Sequence, residues 1–117
     1  MVALSADRGA TLAPPVADRA LPEAPAQASL LRLPAGAAGR PVIAFANAAG
    51  PGRTRMVVRL SHDDGRTWPE ARVVHDGPAA YSGLVALADG GVGVLYERGV
   101  ASPYEAITFA RLPGAAR

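Results

Sequence analysis

The chain contains no cysteine. That excludes a disulfide framework and any thiolate-ligated metal centre. It also contains no lysine: its twelve basic residues are all arginine, at 8, 19, 32, 40, 53, 55, 59, 66, 72, 98, 111 and 117. They stand singly, with no basic run or stripe. The net charge of +2 and pI near 9.7 therefore read as a coding bias rather than a phosphate-binding surface, and no nucleic-acid partner is expected. Aromatics are few, at one Trp, three Tyr and two Phe. A core drawn mainly from Ala, Val and Leu offers little volume per side chain, so modest stability is expected. No apolar run approaches the ~20 residues of a membrane span. The start, MVALSADRGA, lacks a basic n-region and does not read as a signal peptide, so the compartment is left open. His62 and His75 have no metal-site spacing, and neither a metal nor a cofactor is expected.

What the chain does have is short apolar runs separated by turn chemistry. Its 117 residues fit one small domain, closing to bury about two-thirds of its unfolded surface. Strands are expected at about 2–5, 29–33, 41–46, 55–61, 71–75, 82–87, 92–97 and 106–111. Each is rich in Val, Leu or Ile and bounded by Gly, Pro, Asn or Asp, as in PAGAAGRP, NAAGPGR, HDDGRT, DGP and ADGG. No 3.6-residue period is sustained over three turns. The pattern is all-β.

Two segments repeat. SADRGATL (5–12) and SHDDGRTW (61–68) share S-x-D-x-G-x-T at a spacing of 56 residues, each after a Val/Leu run. Units recurring at a period near fifty signal a β-propeller, whose blades are four-stranded sheets. On this register, residues 1–112 hold about one and three-quarter blades, starting in mid-blade and leaving 113–117 as a short tail. A closed propeller needs at least about four blades. Such a partial propeller leaves strand edges unpaired, and missing blades or a complementing chain would have to cover them.

Within the repeat, Gly65 and Gly9 supply a positive φ. Ser61 and Asp63, like Ser5 and Asp7, are placed to accept local backbone N–H bonds, with Thr67 and Thr11 closing the turn. Trp68 is expected to pack beneath it; Leu12 replaces the aromatic in the first copy. His62, in the variable second position, is expected to be exposed. Asp63 and Asp64 raise the alternative of a Ca²⁺ site. That needs six to eight oxygens from a longer loop, and adjacent acids point in different directions. The structural turn is the preferred reading.

This motif is the Asp-box, and with its surroundings the chain resembles the C-terminal part of a bacterial exo-α-sialidase (neuraminidase). PAQASLLRL (25–33) is similar to a family segment ending in Gln-Gly-Ser, with Gln27 and Ser29 matching and Ala28 departing. FANAAGPGRTRMVVRLS (45–61) resembles an Asn-Pro-Ala segment followed by Arg and a V-V-R-L-S strand. GPAAYSGLVALADGGVGVLYERG (77–99) resembles A-Y-S-x-L followed by G-x-L-Y-E. The resemblance implies a six-bladed propeller and three site residues. Tyr81 matches the catalytic tyrosine nucleophile. Arg53 matches the third of three arginines that clamp the substrate carboxylate. Glu97 matches the glutamate that holds the first of those arginines. The implied partner is a sialylated glycan or sialoside, hydrolysed with retention; intact members are often secreted.

The residue types suit that chemistry. Sialic acid carries a carboxylate on its anomeric carbon, which would repel a carboxylate nucleophile, whereas a phenol is neutral; sialidases are the glycosidases that use Tyr. A phenol needs a base beside it. Arginine grips a carboxylate bidentately. Without the resemblance, Tyr81 would be read as packing, Arg53 as a solvated loop residue and Glu97 as a surface charge. Arg55 is a weaker candidate, and Arg59 is expected to support the sheet. The other two arginines, the acid/base aspartate and the tyrosine-activating glutamate lie N-terminal to the matching region in the family. The chain alone is therefore expected to have no useful turnover, and about 250 further residues would complete the blades. The competing reading is a non-catalytic Asp-box module that binds glycans or serves as scaffold.

Overall fold

The computed structural model describes residues 1–35 and 39–114. Six strands follow one another: β1 (Ser29–Leu33), β2 (Val42–Gly50), β3 (Thr54–Ser61), β4 (Glu70–Ala86), β5 (Val92–Arg98) and β6 (Ala106–Leu112). They lie in sequence order, each antiparallel to the next. The β connections are therefore local, as the short Gly/Pro/Asp loops dictate. The expected loop at 34–41 lies partly outside the described residues, as does the end of the tail.

Period-two alternation sets the core. Val42, Ala44, Ala46 and Ala48 of β2 face the same side as Met56, Val58 and Leu60 of β3, with Val92, Val94 and Tyr96 of β5 beside them; all are buried. The opposite face keeps Leu30, Val73, Val85 and Leu95 exposed. Phe109 of β6 is half open, yet its ring fills the space that a side chain at Gly93 would occupy.

Seven of the eight expected strands appear at or near their places, two of them merged into one so that six strands result, and the departures have physical causes. Residues 2–5 form no strand. Val2 and Val16 make a single isolated bridge, with reciprocal N–H···O bonds of 2.7 and 2.8 Å. Pro14 and Pro15 adjoin it and carry no N–H, so the regular ladder stops there, and the next bond skips them, from Ala13 N–H to the Leu4 carbonyl at 2.8 Å. The first partial blade is thus a bridge and a turn rather than two strands. The runs at 71–75 and 82–87 are not separate: both belong to the 17-residue β4. The intervening Asp76-Gly77-Pro78, read as a turn, is absorbed by register shifts opposite Thr54, Met56 and Val57. A third shift lies between Ala79 and Ser82. Such bulges bend a strand without ending it. Over its first part β4 pairs with β3, over its second with β5. Ser82, at the start of the second part, exchanges a 2.8 Å hydroxyl contact with Ser29 of β1 and donates to the Ala46 carbonyl of β2 at 3.3 Å.

Leu60 is 2% exposed within this core. Leu60→Ala should cost about 2–5 kcal/mol in urea unfolding, whereas Val73→Ala, on the open face, should stay within about 0.5 kcal/mol. Equal effects would mean that the two faces have been assigned wrongly.

Candidate functional site

The two Asp-boxes are built alike. In the second, Gly65 N–H donates to Ser61 Oγ at 2.8 Å, Thr67 N–H to Asp63 Oδ1 at 2.8 Å, and Thr67 Oγ1 to Asp63 Oδ2 at 2.6 Å. In the first, the same bonds run Gly9 to Ser5 at 2.7 Å, Thr11 N–H to Asp7 at 2.8 Å and Thr11 Oγ1 to Asp7 at 2.6 Å. Arg8 and Asp64, at φ 59° and 58°, precede Gly9 and Gly65, at 91° and 83°. Two successive left-handed residues tighten the turn so that the glycine amide meets the serine hydroxyl and the threonine amide meets the aspartate carboxylate. Bonds from Thr11 and Ser5 hold the Asp7 carboxyl down at about 2, and bonds from Thr67 and then Ser61 do the same for Asp63. Both oxygens of Asp63 are occupied by the turn, and Asp64 instead pairs with Arg32 at 2.9 Å. Among the described residues no cluster of three metal-ligating side chains occurs. Loss of the aromatic at Leu12 leaves the first box's bonds intact.

Trp68 lies beneath Gly65 and tilts against Phe45 at 5.9 Å between ring centroids. The two rings line an apolar depression of about 410 Å³ with Leu4, Leu30 and Ile43. Its acidic lining residues are Glu23 and Asp64, of which Asp64 pairs with Arg32 and Glu23 with the Met1 amino group at 3.4 Å. His62 differs from expectation. It is half-buried and meets Glu70 at 2.9 Å, which with Arg72 lowers the Glu70 carboxyl. The reason is register: residue 62 follows β3 just where β4 begins at Glu70, so the two side chains face one another.

Tyr81, Arg53 and Glu97 come together at one end of the sheet. Arg53 sits in the loop between β2 and β3 at φ 59°. Its carbonyl accepts the Ala79 N–H at 3.0 Å, which ties that loop to β4 just before Tyr81. Its guanidinium carbon lies 5.6 Å from the centre of the Tyr81 ring, within the range of a cation–π contact. Tyr81 occupies the bulge between Ala79 and Ser82. There one extra residue on β4 removes the Tyr81 N–H from the β5 ladder and throws its side chain outward, 48% exposed. The released N–H donates to Glu97 Oε1 at 3.0 Å, and the next, from Ser82, donates to Gln27 Oε1 at 3.2 Å. Two side chains thus do for the bulge what a neighbouring strand does elsewhere.

Arg55, at φ 62°, is exposed. Arg59 is half-buried, its guanidinium pKa lowered first by burial and then by Arg55, and it reaches Asn47 at 3.4 Å. That is the sheet-supporting position expected for it. Buried Asn47 donates to the Pro22 carbonyl at 2.7 Å and fixes the segment entering β1. Three contributors went unread in the sequence. The Pro25 carbonyl accepts from Arg53 Nη2 at 2.9 Å, and the Tyr104 hydroxyl accepts from Nη1. Glu105 Oε2 accepts the N–H groups of Val100, Ala101 and Ser102, each at 2.7 Å. A carbonyl has no sequence signature, and nothing in VASPYE marks its Tyr as different from any surface ring. The one available signal was an acid closing a loop of small residues, an arrangement suited to capturing amides.

With this geometry in hand, comparison with known proteins is informative. Residues 1–94 match the family model described as a BNR repeat-like domain, and the chain belongs to that family. It is 42% identical over 118 residues to the sialidase of Micromonospora viridifaciens, an alignment covering 97% of this chain and 18% of that protein. The fold matches the Hadza microbial sialidase Hz136 with a TM-score of 0.78 and 31% identity, covering 97% of this chain and 22% of that one. The chain thus has the all-β, propeller-like fold of sialidases and spans about a fifth of the length of these relatives.

Asp7 and Asp63 titrate at about 2 when folded, against an ordinary 3.8. Their folded values are depressed, so the boxes' contribution to stability is complete above pH 3.8 and is lost as pH falls toward 2. NMR titration should show the Thr11 and Thr67 amides moving with a midpoint near pH 2. Midpoints at the ordinary aspartate value would refute the bonding described.

Proposed function

We propose that this chain supplies the nucleophile and part of the carboxylate clamp of an exo-α-sialidase active site. The observation that carries the reading is the convergence of Arg53, Tyr81 and Glu97 at one end of the sheet, in a chain whose relatives are named sialidases.

In this reading the Tyr81 phenolic oxygen attacks the anomeric carbon of a terminal α-linked sialic acid. The aglycone leaves with the glycosidic oxygen, which takes up a proton. Water then cleaves the tyrosyl–sugar bond with a second inversion, giving net retention. Arg53 draws the substrate carboxylate over the Tyr81 ring and aligns the anomeric carbon with the phenol. Glu97 has one oxygen on the Tyr81 amide. That leaves its other oxygen to hold a further arginine of the clamp. The acid/base aspartate, the residue that deprotonates the phenol and the remaining arginines come from the rest of such a catalytic domain, so the 117-residue chain alone should not turn over.

The experiment places residues 1–112 in the corresponding segment of the Micromonospora viridifaciens sialidase. Hydrolysis of a fluorogenic sialoside should persist with retention. Tyr81→Phe should lower kcat by on the order of a hundredfold or more and abolish covalent trapping by a fluorinated sialoside. If Tyr81→Phe leaves both unchanged, Tyr81 is not the nucleophile. Binding of sialosides without turnover in the hybrid would favour a glycan-binding module.

A further inference from the structure

Arginine presents its donors in a planar fork whose direction depends on what holds the far side of the guanidinium. Among the described residues, Arg53 is the loop arginine held at both terminal nitrogens. Nη2 donates to the Pro25 carbonyl at 2.9 Å, and Nη1 donates to the Tyr104 hydroxyl. Pro25 is fixed through its neighbours. Ala24 is buried, and its N–H donates to the Ala48 carbonyl of β2 at 3.1 Å. Tyr104 has no such anchorage in the core: its ring is 62% exposed, on the loop between β5 and β6. An exposed ring is a useful anchor only if its loop is rigid.

The loop at 99–105 is built to be rigid. Glu105 Oε2 gathers the N–H groups of Val100, Ala101 and Ser102 at 2.7 Å each, and these bonds lower the Glu105 carboxyl pKa. Ser102 Oγ accepts the Tyr104 N–H at 3.2 Å. Buried Gly99 sits against this turn, and a Cβ there would overlap the Ser102 carbonyl and the Glu105 carboxylate. The Gly99 N–H donates to the Pro78 carbonyl at 3.1 Å, and the Gly99 carbonyl meets His75 Nε2 at 3.1 Å, so the loop is pinned to β4. The N–H groups of residues 99–102 and 104, the Ser102 hydroxyl and one Glu105 oxygen are all spent on the turn's shape or its attachment, while the phenol reaches the guanidinium.

We propose that Tyr104 is a positioning residue for Arg53, and that the Glu105-gathered loop exists to aim it. Two of the guanidinium's five N–H groups are spent on Tyr104 and Pro25. The remaining three are left for another acceptor, on a guanidinium whose carbon lies 5.6 Å from the centre of the Tyr81 ring; on the sialidase reading that acceptor is the substrate carboxylate. The role assigned to the carboxylate rests on the sialidase reading; the orientation of Arg53 by Tyr104 does not.

The test uses the full chain labelled with ¹⁵N-arginine. In Tyr104→Phe, which removes one oxygen from an exposed ring, side-chain N–H exchange at Arg53 should accelerate about tenfold, the scale of one lost hydrogen bond. Arg55 and Arg98 should be unaffected. Glu105→Ala should accelerate Arg53 similarly; should it unfold the chain, Tyr104→Phe still decides. Titration with N-acetylneuraminic acid should shift the Arg53 signals, more weakly by about tenfold in Tyr104→Phe, while its neutral methyl ester should leave them in place. Unchanged Arg53 exchange in Tyr104→Phe, or unchanged affinity for the acid, overturns the proposal. Accelerated exchange with no measurable binding of the acid by either form leaves Tyr104 as the positioner, and the carboxylate is then tested in the hybrid sialidase: Tyr104→Phe should raise KM there about tenfold, and an unchanged KM would remove the sialoside reading.

Discussion

The structure depends on one strand changing partners. β4 begins on β3 and ends on β5, and it cannot satisfy both without gaining residues that neither neighbour matches. The bulges where this happens include the one that carries Tyr81. A regular strand at this point would turn Tyr81 into a ladder residue, its amide paired and its ring aligned with its neighbours. The exchange of partners is what frees the amide for Glu97, lifts the ring toward Arg53 and brings Ser82 within reach of Gln27. The candidate site is a by-product of the way β4 passes from one neighbour to the next.

That arrangement explains why the sequence was legible unevenly. The strands announced themselves through Val/Leu/Ile runs between Gly and Pro. The Asp-boxes announced themselves through a fixed spacing of Ser, Asp, Gly and Thr, because the bonds that close so tight a turn admit few alternative residues. Asp76-Gly77-Pro78 misled, because Gly and Pro mark any departure from regular geometry, and a bulge and a turn share the same vocabulary. Val2 to Ser5 misled in the other direction: an apolar run alone makes a strand only where a partner with free N–H groups lies alongside.

The site was legible only through resemblance. Tyr81, Arg53 and Glu97 are 28 and 16 residues apart along the chain, and no local pattern links a Gly-Pro loop, a strand middle and a strand end. Their proximity follows from the register of β3, β4 and β5. Even then Glu97 faces the Tyr81 amide as well as any arginine, a role that residue matching does not convey. Tyr104 and Pro25 lay beyond reach for the same reason, since their contribution is a direction imposed on another side chain.

The buried stripe of Ala44, Ala46, Ala48, Ala79 and Ala80 carries a different consequence. Here β1, β2 and β4 come close enough for the Ser82 hydroxyl to reach both Ser29 and the Ala46 carbonyl. Drift at these positions is one-sided: a larger side chain would press on neighbours already in contact and force strands to shift. Ala79 and Ala80 immediately precede Tyr81, so a displacement there would pass straight into the bulge. These small residues thus act as shims, holding the tolerance to which the bulge is cut.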